Sequence, residues 1–398
     1  MQIRKIILLT LMLFSLAILV PAQAQEQAWS AYLFSADARQ VLRVNQDGAE
    51  EVFSLGVTNE GQFINTGISI SPDGRLAAFC VIDTLSNPQA YTFIIREIET
   101  ETNVVERKDA GAGGCLAGDF IENSTQVTVG QVFADAEGNV FSNGGPALFW
   151  RVAIIDVVSG EILYELNRDS ENAPVTTFYD QSVAILPNAG HRAIPIVFFK
   201  ALPYVGTEFL DVEGYAWDLV TGSVTLFPEY GIFNSDFSTL TGEVIYPVLD
   251  ENRPSVSAIG MIPPSNSVLL KQGVDGIPQE VYFNGSWSIS RVRFINDGAR
   301  FLVNLLPAME NTSPDAIGER IAIVGRDGTS TEITIPGIHA SYGSTATMLV
   351  TSWLDSQESA PFITRLGVIE AGELTEIYRR EDNGNFPLYW QIVRVVGN

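Results

Sequence analysis

Residues 154–166 read IIDVVSGEILYEL, and residues 216–228 read AWDLVTGSVTLFP. Each is a short apolar run, a turn of Asp, Ser or Thr and Gly, and a second run in which apolar and polar residues alternate. Alternation with a period of two marks a strand with one buried face. Gly, Asp and Asn reach the positive φ that tight hairpin loops demand. The two stretches therefore predict two β-hairpins. The same unit recurs at 43–55 (RVNQDGAEEVFSL), 95–107 (IREIETETNVVER), 259–271 (IGMIPPSNSVLLK), 323–335 (IVGRDGTSTEITI) and 366–378 (LGVIEAGELTEIY), which makes seven. No stretch keeps apolar residues at i, i+3, i+4 and i+7 over three turns, so no long helix is expected.

Between these hairpins lies a second kind. Residues 68–82 (ISISPDGRLAAFCVI) are its clearest example, and 118–133, 183–199, 235–249, 292–306 and 340–354 are weaker relatives. The missing seventh can be assembled from the two ends of the chain. Residues 389–396 (YWQIVRVV) form a first strand without a partner, and 29–35 (WSAYLFS) a second strand without a predecessor. Seven four-stranded units, one split between the termini, predict an all-β chain folded as a single seven-bladed β-propeller. Six or eight blades would need one repeat misread. Ring closure protects the sheet edges that an open stack would expose. Two separate sandwiches would need a long flexible linker near the middle, and none is found.

Composition bounds the rest. The chain has 398 residues and a formal charge of -24, from 23 Lys and Arg against 47 Asp and Glu. Such acidity repels nucleic acid and anionic lipid. Apolar content of 46% with 18% charged residues is that of a folded chain. Two cysteines and two histidines leave little for zinc or histidine-based chemistry.

Residues 1–24 read as a cleaved signal peptide. Arg4 and Lys5 open it, an apolar run follows, and Ala22-Gln23-Ala24 gives the small-x-small cleavage pattern. The propeller domain would then be 25–398. Losing Arg4 and Lys5 takes the charge from -24 to -26. The expected location is secreted or periplasmic, with no membrane span after cleavage. In that oxidising setting Cys80 and Cys115 form either one disulfide or two buried thiols.

Ser71-Pro72-Asp73-Gly74-Arg75-Leu76-Ala77-Ala78-Phe79 resembles the repeat motif of TolB-like β-propellers, the PD40 or WD40-like type. Pro72 presets φ before the turn and Gly74 takes positive φ. The copies at 294–301 (FINDGARF) and 186–190 (LPNAG) keep less of it. The resemblance implies a propeller and export. TolB proteins carry an additional N-terminal domain for which the repeats leave no room here, so no partner is implied. Prolyl-oligopeptidase-type enzymes also carry propellers, but the hydrolase domain they need is not found in this sequence.

Catalytic motifs are scarce. There is no G-x-S-x-G elbow. His339 lies two residues from Ser341, which on a regular strand points both side chains the same way, but a triad also needs an acid and an oxyanion hole. His191 sits in an expected turn. Calcium accepts carboxylate and carbonyl oxygens, so Asp135, Glu137 and Asn139 form one candidate site and Glu208, Asp211, Glu213 and Asp218 another. Otherwise no cofactor is expected. Asn123, Asn284 and Asn311 stand in glycosylation sequons.

Function is sought in the loops. Both hairpin kinds turn at one rim of a propeller, and the remaining connections gather at the other. Those are long at 83–91, 134–147, 200–214, 272–286, 307–319 and 355–361. Their acids include Asp135, Glu137, Glu208, Asp211, Glu213, Asp250, Glu251, Glu310, Asp315, Glu319, Asp355 and Glu358, with aromatics Phe141, Tyr204, Phe209 and Tyr282. Loops on a rigid scaffold commonly carry function. The expectation is a non-catalytic binder of an envelope or extracellular protein, peptide or glycan through this acidic rim. The alternative is a hydrolase or lyase of extracellular polymer using carboxylates at the channel mouth.

Overall fold

The computed structural model describes residues 28–86, 90–110, 112–121, 125–134, 148–167, 169–173, 182–188, 196–205, 208–209, 213–231, 234–238, 241–254, 265–273, 275–306, 319–355, 360–384 and 388–397. They form seven antiparallel sheets. Blade 1 runs, from its first strand outward, Gln391–Gly397, Trp29–Ser35, Gln40–Asn45 and Glu50–Ser54. Blade 2 is Gln62–Ile70, Leu76–Asp83, Ala90–Glu97 and Thr102–Ala110; blade 3 is Ala112–Ile121, Gln126–Ala134, Leu148–Asp156 and Ile162–Asn167. Blade 4 is Ser182–Asn188, Ile196–Val205, Glu213–Asp218 and Val224–Leu226, with Glu208–Phe209 paired to its second strand. Blade 5 is Asp236–Phe237, Glu243–Val248, Ser267–Gln272 and Gln279–Phe283. Blade 6 is Ser288–Ile295, Arg300–Leu306, Glu319–Gly325 and Ser330–Ile335, and blade 7 is Ile338–Ser344, Leu349–Leu354, Phe362–Glu370 and Glu373–Asp382. The chain is a seven-bladed β-propeller. The helix among the described residues is a single turn, Pro228–Gly231, between blades 4 and 5.

The core explains the ring. Successive side chains on a strand point to opposite faces. In blade 2, Leu76, Ala78 and Cys80 pack on blade 3, while Ala77, Phe79 and Val81 pack on blade 1. A middle strand is thus apolar on both faces and reads as the unbroken LAAFCVI. Seven apolar clusters fill the seven blade interfaces, including the one between blades 7 and 1. Each fully buried Phe or Leu in them contributes about 1.5–3 kcal/mol.

Blade 1 closes the ring by pairing the last strand with the first, Trp29 opposite Gly397 and Phe34 opposite Gln391. Blade 7 pins that strand. Ser341 Oγ accepts the Ile392 N–H at 2.7 Å, and the Ser352 hydroxyl donates to the Trp390 carbonyl at 3.1 Å. Cys80 and Cys115 are joined in a disulfide that staples blade 2 to blade 3.

The SPDG turn is built as its residues dictate. Buried Ser71 accepts the Leu76 N–H on its hydroxyl and donates that hydroxyl to Asp73, which caps the Arg75 N–H at 3.1 Å. Gly74 sits at φ 71°, where a Cβ would strike the Tyr32 hydroxyl of blade 1.

Blade 5 corrects the expectation. Residues 259–271 are not its outer hairpin. The strand Ser267–Gln272 is the third, and the fourth, Gln279–Phe283, lies inside the stretch 272–286 that reads as an inter-blade loop. Tyr282 is accordingly a buried core residue rather than a rim aromatic.

Candidate binding site

The two rims differ in chain length. At the rim where strands one and two, and three and four, are joined, no connection is longer than 189–195. At the opposite rim the chain spends 135–147, 168–181, 249–266 and 307–318 between strands. Asp135, Glu137, Asn139, Phe141, His191, Asp211, Glu310, Asp315 and Glu358 lie outside the described residues, as do Asn123 and Asn311.

The remaining rim residues are more committed than their charge suggests. Tyr204 and Phe209 pair with each other in the ladder between Ile196–Val205 and Glu208–Phe209, so Tyr204, Glu208 and Phe209 are strand rather than loop. Glu213 accepts the Tyr215 hydroxyl. Asp355 takes both arms of Arg365, at 2.8 and 2.9 Å, and Arg365 also holds Glu376. Asp250 pairs with Arg253 at 3.2 Å. Of the second calcium grouping, Asp211 lies outside the described residues. Glu213 and Asp218 stand at opposite ends of one strand, ~16 Å apart at the usual rise per residue. Among the described residues no cluster of three or more His, Cys, Asp or Glu could hold a metal ion.

Two further readings change. A bulge between Ile338 and Ser341 and a φ of 54° at His339 break the alternation that would align His339 with Ser341. His339 instead meets Tyr389 edge-on, with ring centroids 4.7 Å apart. Asn284 is buried, and its side chain caps the N–H groups of Ser286 and Trp287 at 2.9 Å, so that sequon is closed to a glycan.

The tight-turn rim is acidic too. Its aspartates build the turns. Asp156 accepts the N–H groups of Val158 and Ser159, Asp218 those of Val220 and Thr221, and Asp327 that of Thr329. Hydrogen bonds to the charged form hold all three carboxyls below the ordinary 3.8: from the Ser159 N–H first in Asp156, the Thr221 N–H first in Asp218, and the Thr329 hydroxyl first in Asp327. Buried Glu243, from blade 5, receives both arms of Arg326 from blade 6 and the Thr241 hydroxyl. Between blades 6 and 7 the same rim has a cavity of about 260 Å³ lined by Asn296, Arg300, Thr329, Thr331 and Thr347.

The axis of the ring is bounded by the seven first strands, and it collects arginine. Arg394, from blade 1, donates to the Ile70 carbonyl of blade 2 at 3.1 Å and feels Asp119, Asp73 and Asp297 from blades 3, 2 and 6. Blade 6 supplies Arg291 and Arg293. A bulge at Ser290 resets its alternation, so Val292 and Ile289 enter the core against blade 5. Arg291 and Arg293 therefore share the other face, with Ile295, which packs toward blade 7. Asn304 stands directly across the ladder from Arg291. Tyr342 of blade 7 donates its hydroxyl to Glu319 at 3.2 Å, and burial, then Glu319, pushes that phenol well above its usual range.

Among the described residues neither the Arg291 nor the Arg293 side chain makes a hydrogen bond or an ion pair, and Arg293 Nε is buried with no acceptor. Solvent reaches Arg291, yet protein crowds it enough that burial first, and the Arg293 charge next, lowers it to about 10. Burial likewise lowers Arg293. Sequence reasoning passed these two over, although the alternation R-V-R in a first strand was a visible signal.

No family model and no curated protein sequence matches the chain. Solved structures do. The uncomplexed Pyrococcus horikoshii acylaminoacyl peptidase is 12% identical, with a TM-score of 0.51 over 88% of this chain and 50% of that one. Prolyl oligopeptidase B from Galerina marginata is 10% identical, with a TM-score of 0.53 over 90% and 52%. The β-propeller domain of the Trilobed protease from Pyrococcus furiosus is 13% identical, with a TM-score of 0.48 over 87% and 88%. The chain spans about half the length of the two peptidases, and at these identities the likeness is one of fold.

Proposed function

We propose that the protein is an exported, non-catalytic β-propeller, related to the TolB-like repeat proteins, that binds an envelope or extracellular protein, peptide or glycan through its long-loop rim. The observation that carries this reading is the unequal length of the connections at the two rims. A rigid ring tolerates long loops at one end at little entropic cost, and such loops are where binding residues concentrate. The Cys80–Cys115 disulfide supports export, because such bonds persist in oxidising compartments, and it agrees with the signal-like segment 1–24. Calcium enters the reading through Asp135, Glu137 and Asn139, so binding is measured with the ion and with a chelator.

The test compares the two rims. Asp37, Glu60, Glu171 and Glu251 are exposed at the long-loop rim, and Asp47, Glu161, Asp275 and Glu373 at the tight-turn rim. Each set is neutralised to Asn or Gln, and binding to host envelope fractions and glycans is measured at low and high salt. The long-loop set is expected to weaken binding about tenfold at low salt and the other set to leave it unchanged. Equal effects from both sets would refute the rim as the binding face.

A further inference from the structure

We propose that the channel face of blades 6 and 7 is an oxyanion-binding site in which Arg291 and Arg293 receive a phosphate, sulfate or carboxylate group of a small ligand. This goes beyond the rim reading and does not depend on it. Two guanidinium groups project from alternate positions of one strand, to the same face, with Asn304 across the ladder from Arg291 and the Tyr342 hydroxyl, already donated to Glu319, near Arg293. Among the described residues, the carboxylates that Arg291 and Arg293 feel are Asp236 and Glu319. Asp236, from blade 5, accepts the Phe294 N–H at 2.7 Å. Glu319 accepts the Ala340 N–H at 3.1 Å and the Tyr342 hydroxyl at 3.2 Å. Neither carboxylate comes within ion-pair distance of the two arginines, although both lower the repulsion from farther off. Other arginines of this chain are placed differently: Arg43, Arg253, Arg326, Arg365 and Arg380 all hold carboxylates.

Two like charges side by side in a crowded channel destabilise a fold unless something neutralises them. A guanidinium is a rigid fork of donors that matches an oxyanion in two places at once. A pair of forks thus suits a dianion held between them, or the two ends of a short dicarboxylate. The acidic exterior repels such ligands at long range, so recognition has to come from short-range contacts with these two groups and be weakly dependent on net charge.

Isothermal calorimetry on the purified protein tests this, with inorganic phosphate, sulfate and succinate as separate probes and chloride holding the ionic strength constant. The three probes distinguish the phosphate, sulfate and carboxylate sources. At least one is expected to bind, and Arg291→Gln or Arg293→Gln to weaken it about tenfold or more. Arg291→Lys with Arg293→Lys keeps the charge, loses the fork and is expected to fall between; it decides the matter if a Gln variant fails to fold. The rim-neutralised protein is expected to bind the probe as the wild type does. No binding by any of the three probes, or equal affinity in wild type and channel variants, overturns the proposal.

Discussion

At the tight-turn rim, Asp156, Asp218 and Asp327 each accept hydrogen bonds from backbone N–H groups of their own turns, whereas on the channel wall Arg291 and Arg293 meet no acceptor among the described residues. Both are charges on short segments of one ring. The aspartates are exposed, numerous and structurally occupied. The arginines are few, crowded and unoccupied. Formal charge therefore says little about where a molecule can bind. What matters is whether a charge already has its partners, since an occupied group must lose a bond to gain one.

The comparison can be broken from either side. The largest expected effect lies with the most enclosed occupied charge. Glu243→Ala removes the clamp between blades 5 and 6 and strands Arg326; it is expected to destabilise by about 2–3 kcal/mol in denaturant unfolding. A neutral result would show that occupied charges at this rim are decorative. Smaller effects are expected at the turns. Asp156→Ala and Asp218→Ala should each be less stable than the wild type at neutral pH, by less than Glu243→Ala, by analogy with capping residues. Their pH dependence has a fixed sign. The carboxyls are held below 3.8 in the fold, so their contribution is complete above 3.8 and fades as pH falls through the lower, folded value. The variants should therefore converge on the wild type in acid, and a gap that persists at low pH would mean the aspartates act by some other route.

The fold was legible because its signals are local and repeated. A turn such as DVVSG or DLVTG places Asp at the cap and Gly at φ 71° or 72°, and the unbroken LAAFCVI records burial on both faces. Blade 5 was misread because Pro263 and Pro264 make a strong turn signal beside an apolar run, while the real outer hairpin turns at 273–278. Strand pairing there is decided by packing against blade 6, which no local signal records. The site was less legible for a related reason. Counting acids finds loops, but isolation of a charge depends on what the neighbouring blades bring near it. The Ser290 bulge turns Arg291 and Arg293 away from the face that buries Ile289, and the bulge before Ser341 turns His339 away. Neither bulge leaves a mark in the alternation.

The most direct measurement of the central claim is thermal unfolding, in chloride buffer without added oxyanion, of the protein carrying Arg291→Met and Arg293→Met together. Methionine keeps the apolar stem and removes the two unpartnered charges. The midpoint is expected to stay the same or rise by about 1–3 °C. A fall of several degrees would contradict the account, because it would show that the two arginines are already occupied in holding the ring together.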